Sequence, residues 1–150
     1  MLVLDVDGVL TDGGMYYSNG GDEFKKFNTK DGLGIKMLIE CGVVVAFLSN
    51  GKNDVLIKNR AALLGVQKVY VGFDKKIIVL NEWLKEMGLQ YNNVSYIGDD
   101  INDLEVIEHL ELTACPEDAV DEVKTKVKYI LGRKGGEGCV REFIDNYLLH

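Results

Sequence analysis

The sequence predicts an α/β fold in which a central parallel β-sheet is covered by helices on both faces. Short apolar runs of strand length alternate with helical stretches along the 150-residue chain, and this alternation is typical of parallel sheets. Ligands bind outside the carboxyl ends of the strands in such sheets. Three apolar runs end there in polar clusters, which we expect to form one site: Asp5 with Asp7, Ser49 with Asn50, and Asp99 with Asp100 and Asp103.

The first strand is predicted from Leu2 to Val6, an apolar run interrupted only by Asp5. Such a run suits a strand that is buried on both faces. At its end Asp5 and Asp7 repel each other and lose hydration, so the pair is costly unless a cation or a reaction requires it. The alternative is an ordinary Asp-x-Asp-Gly turn, since Asp and Gly are common turn residues.

A small β-hairpin insertion is predicted at residues 13–27. Asn19-Gly20 lies between two alternating aromatic stretches, and this is the strongest local signal for a hairpin. An isolated two-stranded ribbon is only marginally stable in water. We therefore expect the hairpin to pack on its own domain or on another subunit through its aromatic residues, which are Tyr16, Tyr17, Phe24 and Phe27.

The remaining elements alternate between strand and helix. Further strands are predicted at 43–48, 67–71, 94–97, 112–114 and 127–131. Helices are expected from a cap in residues 28–31 to about 40, from a cap at Asn53 or Asp54 to about 64, at 74–87, up to about 109, and at 117–123 and 139–148. Residues 133–138 are interpreted as a flexible Gly-rich segment. Because no linker or repeat interrupts the pattern, we expect a single domain over residues 1–150.

Composition excludes several classes of protein. The chain is 47% apolar and 27% charged, as in soluble globular proteins. Its net charge of -7 argues against binding of nucleic acid, which requires a basic surface. No apolar run approaches the roughly 20 residues of a membrane span, and the N-terminus lacks the features of a signal peptide. The three cysteines are interpreted as reduced thiols, so we expect a cytoplasmic location.

Several aspartates at one site predict a hard divalent cation with oxygen ligands, Mg²⁺ rather than Zn²⁺. No histidine lies at the three strand ends, which leaves zinc catalysis without support. An EF-hand starting at Asp5 is excluded, because Leu10 and Tyr16 occupy the positions that require glycine and glutamate. The glycines of residues 135–138 lack the Lys-Ser/Thr ending of a Walker loop.

Such a site has the parts needed to hydrolyse a phosphate ester. A carboxylate can attack phosphorus and form an aspartyl-phosphate, which divides hydrolysis into two displacements. A metal ion and a lysine relieve the repulsion between the two anions, while a serine hydroxyl and backbone N–H groups hold phosphate oxygens. A second acid protonates the leaving oxygen and then deprotonates the attacking water.

The motifs resemble those of the haloacid dehalogenase superfamily of phosphatases, which implies a Rossmann-like three-layer fold. The matching segments are Asp5-Val-Asp7-Gly8-Val-Leu-Thr11, Ser49, Lys76 and Gly98-Asp99-Asp100-x-x-Asp103. Other segments resemble the small capless branch of the superfamily, which contains octulosonate 8-phosphate and nonulosonate 9-phosphate phosphatases. These segments are Asp12-Gly-Gly-Met15, Phe24-Lys-Lys-Phe27, Asp31-Gly-Leu-Gly34 and Arg133-Lys-Gly-Gly-Glu-Gly138-x-x-Arg141-Glu142.

The resemblance implies a role for each acidic residue. Asp5 would be the nucleophile and a Mg²⁺ ligand. Asp7 would be the general acid and base, and its backbone carbonyl would also bind the metal. Asp99 would complete the metal site, with Asp100 and Asp103 in support.

Further roles concern the phosphate and the catalytic lysine. Ser49 would bind a phosphate oxygen, and the adjoining loop of Asn50, Gly51 and Lys52 would contribute to substrate binding. Lys76 would neutralise the nucleophile and the phosphate. The adjacent Lys75 is the rival for that role.

The resemblance also implies an assembly. Members of the branch form homotetramers in which the hairpin of one subunit covers the active site of its neighbour. The Gly-rich segment with Arg133 would close over the substrate.

One departure from the family bears on the substrate. Octulosonate phosphatases usually read Thr-Gly-Arg where this chain has Ser49-Asn50-Gly51. The missing arginine would help to hold a sugar carboxylate, and the ammonium of Lys52 is a poorer match than a guanidinium fork. We therefore expect Mg²⁺-dependent hydrolysis of a nine-carbon, sialic-acid-type nonulosonate 9-phosphate, with 3-deoxy-octulosonate 8-phosphate as the alternative.

Two other hypotheses assign no hydrolytic activity. The chain also resembles domains associated with acylneuraminate cytidylyltransferases, so it could be a non-catalytic oligomerisation or regulatory module. A phospho-accepting receiver domain likewise uses Asp, a metal and Lys. Its accepting aspartate normally ends the third strand, however, and not the first.

Overall fold

The computed structural model describes residues 1–52 and 54–149. Within them, six strands form one parallel sheet, and two short strands form a separate hairpin. In chain order the strands are β1 (Leu2–Leu4), β2 (Tyr16–Tyr17), β3 (Glu23–Phe24), β4 (Val45–Ser49), β5 (Lys68–Val71), β6 (Ser95–Ile97), β7 (Leu112–Cys115) and β8 (Tyr129–Ile130). The helices are α1 (Thr29–Glu40), α2 (Asp54–Leu64), α3 (Lys76–Met87), α4 (Leu104–Ile107), α5 (Asp121–Lys124) and α6 (Cys139–Tyr147).

The position of β1 in the sheet determines where a site can form. The strand order is β5-β4-β1-β6-β7-β8, so β1 lies between β4 and β6. Leu4 is paired with Phe47 on one side and with Ile97 on the other. The carboxyl ends of the three strands therefore lie side by side where the chain order changes direction, which is the usual place for a ligand crevice.

Helices cover both faces of the sheet, as the sequence predicts. Leu2 and Leu4 point into one apolar cluster with residues of α1, α2 and α6, whereas Val3 points into a second cluster with residues of α3 and α4. All three side chains are fully buried. This alternation is the pattern of a central strand that is covered on both faces.

Some element boundaries differ from the prediction. β1 ends at Leu4 because residues 6–10 form a compact turn in which Gly8 has a φ of 93°. α4 contains only Leu104–Ile107 because a 3₁₀ turn precedes it at Ile101–Asp103. α5 is shorter than predicted because residues 116–119 form a hydrogen-bonded turn before it. The cap predicted at Asn53 lies outside the described residues.

The predicted flexible Gly-rich segment is instead packed against the turn that follows β1, so that prediction was wrong. The backbone N–H of Gly136 donates to the carbonyl oxygen of Val9 at 3.0 Å. A Cβ atom at Gly135 would lie only 1.9 Å from the carbonyl oxygen of Gly8. The glycines are therefore needed for close contact between two backbones, which a side chain would prevent.

The predicted hairpin is present, and its base packs on its own domain. Thr11 and Phe27 form an isolated antiparallel bridge, and the guanidinium of Arg60 lies 5.4 Å from the centre of the Phe27 ring. The tip of the hairpin carries exposed apolar groups, with Met15, Tyr17 and Phe24 all more than half exposed. Among the described residues, no helix combines the length and apolar character that crossing a membrane requires.

Candidate active site

The polar residues that follow β1, β4 and β6 meet in one cavity of about 210 Å³. The structure thus brings together side chains that are up to 97 positions apart in the chain. The lining residues are Asp5, Asp7, Ser49, Asn50, Gly51, Asp99, Asp100 and Asn102.

Lys76 lies beneath this cavity and joins two carboxylates. Its Nζ atom donates to Oδ1 of Asp5 at 2.5 Å and to Oδ1 of Asp103 at 2.6 Å. The hydroxyl of Tyr96 donates to the same Asp103 oxygen at 2.5 Å. The lysine side chain has no solvent exposure, so these charged groups can satisfy one another only within the protein.

Asp103 fixes the loop that carries Asp99. Its second oxygen, Oδ2, accepts hydrogen bonds from the backbone N–H groups of Asp99 at 2.9 Å and Asp100 at 3.2 Å. A Cβ atom at Gly98 would lie 2.5 Å from Cγ of Asp103, so this close approach requires glycine. Both oxygens of Asp103 are thus engaged within the protein, and its place is that of a supporting residue.

Burial and mutual repulsion change the acidities of the site. Burial raises the pKa of Asp5 to about 6, although the nearby Lys76 opposes this rise. Burial, followed by the charges of Asp5 and Asp103, raises the pKa of Asp99 to about 9. Burial alone would lower the pKa of Lys76, but the two carboxylates outweigh it and raise that pKa above its usual value. The site therefore holds more negative charge than its lysine can balance.

The carboxylate arrangement fits a divalent metal ion. Oxygens of Asp5, Asp99 and Asp103 lie within 4.8 Å of one another. The charge of Asp5 contributes to the raised pKa of Asp99, so the two carboxylates repel each other and a cation between them would relieve that repulsion. Because Asp103 is fully engaged, Asp5 and Asp99 are the side chains free to act as ligands.

Gly8 makes room for one of these two carboxylates. A Cβ atom at Gly8 would lie only 2.0 Å from Oδ2 of Asp99, and the φ of Gly8 is 93°. The residue must therefore be glycine both for its backbone conformation and for the approach of Asp99.

Asp7 lines the same cavity, but its side chain lies outside the carboxylate cluster. Its Oδ1 atom accepts a hydrogen bond from Nζ of Lys25 at 2.6 Å, and its side chain is 40% exposed. Asp7 is thus the one predicted metal ligand whose side chain is not in the cluster. Only its backbone carbonyl is then left to bind a metal ion. Lys25 was not among the residues predicted from the sequence, although strand alternation places it on the same side of the hairpin as Glu23, with which it also pairs.

Ser49 and Asn50 shape the loop after β4. The buried Oγ atom of Ser49 accepts a hydrogen bond from the backbone N–H of Gly51 at 2.9 Å. The amide nitrogen of Asn50 donates to the carbonyl oxygens of Gly72 and Asp74, both at 3.0 Å. Asn50 therefore ties this loop to the segment that leads into α3.

Asn102 lines the cavity but was not among the residues predicted from the sequence. Its side-chain amide donates to Oδ1 of Asn50 at 3.2 Å and joins the loops after β4 and β6. Its place in the Gly-Asp-Asp-x-Asn segment could have signalled it, since that segment is one of the motifs.

Three predicted or rival residues lie outside the cavity. Lys52 is exposed and is not among the lining residues. Arg133 is exposed and borders a different cavity, which it shares with Lys30 and Arg141. Lys75 is exposed and pairs with Glu105 at 3.5 Å, so the structure places Lys76, and not its neighbour, on Asp5.

The chain is similar to known hydrolases and phosphatases. The family model described as haloacid dehalogenase-like hydrolase matches residues 61–144. The 3-deoxy-D-manno-octulosonate 8-phosphate phosphatase KdsC of Escherichia coli K12 is 38% identical over 149 residues, covering 99% of this chain and 79% of that protein. The corresponding enzyme of Yersinia pestis is 39% identical over the same shares.

Solved structures extend the similarity to the fold. The probable YrbI family phosphatase of Pseudomonas syringae has a TM-score of 0.93 and 43% identity, covering 96% of this chain and 81% of that one. The octulosonate 8-phosphate phosphatase of Moraxella catarrhalis, solved with magnesium, phosphate and KDO, has a TM-score of 0.92 and 30% identity, covering 96% and 82%. These comparisons confirm the predicted fold class and superfamily. The chain is a phosphatase that belongs to the haloacid dehalogenase-like hydrolases and, among them, to the family of KdsC.

Proposed function

We propose that the protein hydrolyses 3-deoxy-D-manno-octulosonate 8-phosphate, with Mg²⁺ bound at Asp5 and Asp99. The observation that carries this proposal is similarity to KdsC proteins along 99% of the chain. It supports the octulosonate substrate better than the nonulosonate 9-phosphate that we expected from the sequence. The nine-carbon acid remains the competing substrate, because Gly51 stands where octulosonate enzymes usually carry arginine and Lys52 lies outside the cavity.

In the first step, the Asp5 oxygen that Lys76 does not hold attacks phosphorus, and the bond from phosphorus to the sugar oxygen breaks. Asp7, as a carboxylic acid, donates its proton to that oxygen, so the sugar leaves as an alcohol. The products are the sugar acid, an aspartyl-phosphate at Asp5 and the carboxylate of Asp7. Lys76 offsets the charge of the nucleophile as the two anions approach.

In the second step, a water molecule attacks phosphorus while Asp7 takes its proton. The bond between phosphorus and Asp5 breaks, which releases inorganic phosphate and restores the Asp5 carboxylate. Asp7 is again a carboxylic acid, so the cycle balances. When bound, Mg²⁺ would supply positive charge that offsets the charge of the transferring phosphoryl group.

Ser49 and the adjoining backbone are the proposed phosphate-binding elements. The hydroxyl of Ser49 already accepts from Gly51, so its own proton is available to a phosphate oxygen. Asp100 and Asn102 line the same cavity and are placed to contact the sugar. Arg133 would reach the substrate only after moving from its present cavity, and we assign it no contact.

We also propose that the protein is a cytoplasmic homotetramer in which the hairpin covers the active site of a neighbouring subunit. The exposed Met15, Tyr17 and Phe24 support this assembly, because exposed apolar groups of this size favour an interface. Light scattering of the purified protein tests the mass. The non-catalytic cytidylyltransferase module and the receiver domain are not supported, because the chain is a phosphatase with its carboxylates and lysine in place.

Substrate preference is tested by measuring phosphate release from both sugar-acid phosphates in the presence of Mg²⁺. We expect kcat/KM for the octulosonate ester to exceed that for the nonulosonate ester by about tenfold or more, a difference of about 1.4 kcal/mol. The opposite preference would overturn the substrate assignment. Full turnover by Asp5→Asn would overturn the aspartyl-phosphate mechanism. We also expect activity to require a divalent ion, so that a chelator abolishes it.

A further inference from the structure

Lys25 reaches the active site from the otherwise exposed hairpin. Its side chain is 7% exposed and its Nζ atom lies 2.6 Å from Oδ1 of Asp7. The next residue, Lys26, is 50% exposed and pairs with Glu137. Two adjacent lysines that follow β3 therefore have different environments, and only the first contacts a residue of the cavity.

The burial of Lys25 requires compensation. Burial lowers the pKa of its ammonium group, but hydrogen bonds from the ammonium to Asp7 and to Glu23 raise that pKa above its usual value. The lysine is thus held as a cation. A long side chain can usually keep its charged end in water, so its placement against Asp7 is a specific feature of this hairpin.

The contact constrains how Asp7 can carry a proton. An ammonium group only donates hydrogen bonds, so the Asp7 oxygen that faces it, Oδ1, must accept. A proton on Asp7 must then reside on Oδ2. This oxygen lies on the cavity side, 3.3 Å from where a Cβ atom of Gly51 would be.

We propose that Lys25 is a positioning residue, which holds Oδ1 of Asp7 so that Oδ2 faces the reacting phosphate ester. In the first step, Oδ2 gives its proton to the sugar oxygen as the phosphorus–oxygen bond breaks. In the second step, the same oxygen takes a proton from water. Lys25 donates to Oδ1 throughout, and the hairpin is therefore a working part of its own subunit's site. This inference rests on the proposed roles of Asp5 and Asp7.

The test compares two substrates that differ in their need for a proton. A sugar leaves as a basic alkoxide unless it is protonated, whereas p-nitrophenolate leaves readily without a proton. Lys25→Met keeps most of the side-chain stem and removes the charge. For Lys25→Met, we expect single-turnover release of the sugar to slow by about 10²-fold, in keeping with loss of general acid catalysis, and release of p-nitrophenolate to change by less than about threefold.

Lys26→Met is the matched control, because it removes an adjacent lysine that lies outside the cavity, and it should resemble the wild type with both substrates. Lys25→Arg, which preserves a donor, should recover part of the lost rate. Asp7→Asn should show the same preference for p-nitrophenyl phosphate, only more strongly.

Each failure has a distinct meaning. Equal slowing of Lys25→Met with both substrates, or equal effects of Lys25→Met and Lys26→Met, would overturn the positioning role. Circular dichroism detects a loss of folding in Lys25→Met. In that case Lys25→Arg decides: a partial loss of rate with the sugar ester alone supports the positioning role, whereas wild-type rates or equal slowing with both substrates would overturn it. If Asp7→Asn itself shows no substrate preference, the proposed function fails and not merely the role of Lys25.

Discussion

Two lysine–aspartate contacts border the active site, and they differ in how the fold supplies the lysine. Lys76 comes from the first residue of α3, is fully buried, and contacts both Asp5 and Asp103. Lys25 comes from a hairpin with an exposed tip and contacts Asp7, whose side chain is 40% exposed. A nucleophile benefits from a fixed, water-free environment, whereas an acid and base must exchange protons with substrate and water.

The two contacts also differ in charge balance. On the Lys76 side, one ammonium faces the carboxylates of Asp5, Asp99 and Asp103, so negative charge is in excess. On the hairpin side, Lys25 pairs with Asp7 and Glu23 at the edge of the cavity, where water screens the charges. The excess negative charge therefore favours binding of a divalent cation on the first side and not on the second.

The largest expected effect is that of Lys76→Met. It leaves the buried carboxylates without their cation, so we expect kcat to fall by about 10³-fold. Lys75→Met is the matched control, since that lysine is exposed and pairs with Glu105, and its kcat should stay within about twofold of wild type. Steady-state kinetics with Mg²⁺ measures both, and a larger loss in Lys75→Met would reverse the assignment.

Gly8→Ala comes next, because it perturbs Asp99, a proposed metal ligand, without changing any charge. Its Cβ atom would lie 2.0 Å from Oδ2 of Asp99, and we expect about a 10²-fold loss of kcat together with weaker metal binding. Gly21→Ala separates strain from collision, since Gly21 has a φ of 89° but no neighbour within 4 Å. Calorimetric titration with Mg²⁺ should show the defect in Gly8→Ala alone.

Tyr96→Phe removes one hydroxyl from the buried group around Lys76 and Asp103. Loss of its hydrogen bond to Asp103 should lower kcat by about tenfold, because a bond to a charged group is worth roughly 1.5–3 kcal/mol. Tyr91→Phe provides the control, since the Tyr91 hydroxyl bonds to Asn81 at the surface. Unchanged kcat in Tyr96→Phe would mean that Lys76 and the peptide N–H groups suffice to hold Asp103.

Asp31 extends the comparison to a buried carboxylate that no lysine contacts among the described residues. It is 1% exposed, and its Oδ1 atom accepts from the backbone N–H of Arg141 at 2.7 Å. Burial, partly opposed by hydrogen bonds and by Arg133 and Arg60, raises its pKa from 3.8 to about 6. The folded protein therefore binds this proton more tightly than the unfolded chain does.

The stabilisation from Asp31 is complete below a pH of about 4 and is lost as the pH rises through about 6. Between pH 4.5 and 7.5, wild type should lose about 2 kcal/mol of unfolding free energy relative to Asp31→Asn. Urea unfolding of both proteins at the two pH values measures this difference, and parallel pH dependences would contradict it.

The sequence alone was enough to predict which residues converge at the strand ends. Asp5, Ser49 and Asp99 each follow a short apolar run, and parallel strands bring such positions to one edge of a sheet. Lys76 could be chosen over Lys75 only through family resemblance, because two adjacent lysines have no distinguishing pattern. The structure resolves the choice, since the first turn of α3 directs Lys76 inward.

Other parts of the site could not be predicted because they depend on tertiary contacts. Tyr96 lies in an apolar run, which predicts a core residue, yet its hydroxyl donates a hydrogen bond to the carboxylate of Asp103 in the next segment. The position of Lys25 depends on how the hairpin folds back, which its turn sequence does not specify. The glycines of residues 135–138 indicated flexibility, but glycine equally permits the close backbone contact that is found.

The contact between Gly135, Gly136 and the turn after β1 determines when the site can form during synthesis. The ribosome synthesises Asp5 first, and Gly135 and Gly136, which contact the turn after β1, follow about 130 residues later. At about 5–20 residues per second, the interval is on the order of ten seconds. During the first part of that time β1 also lacks β6, the strand that pairs with its second edge. We therefore expect nascent chains to expose one edge of β1 until β6 has been synthesised, and to be inactive until Gly136 has followed.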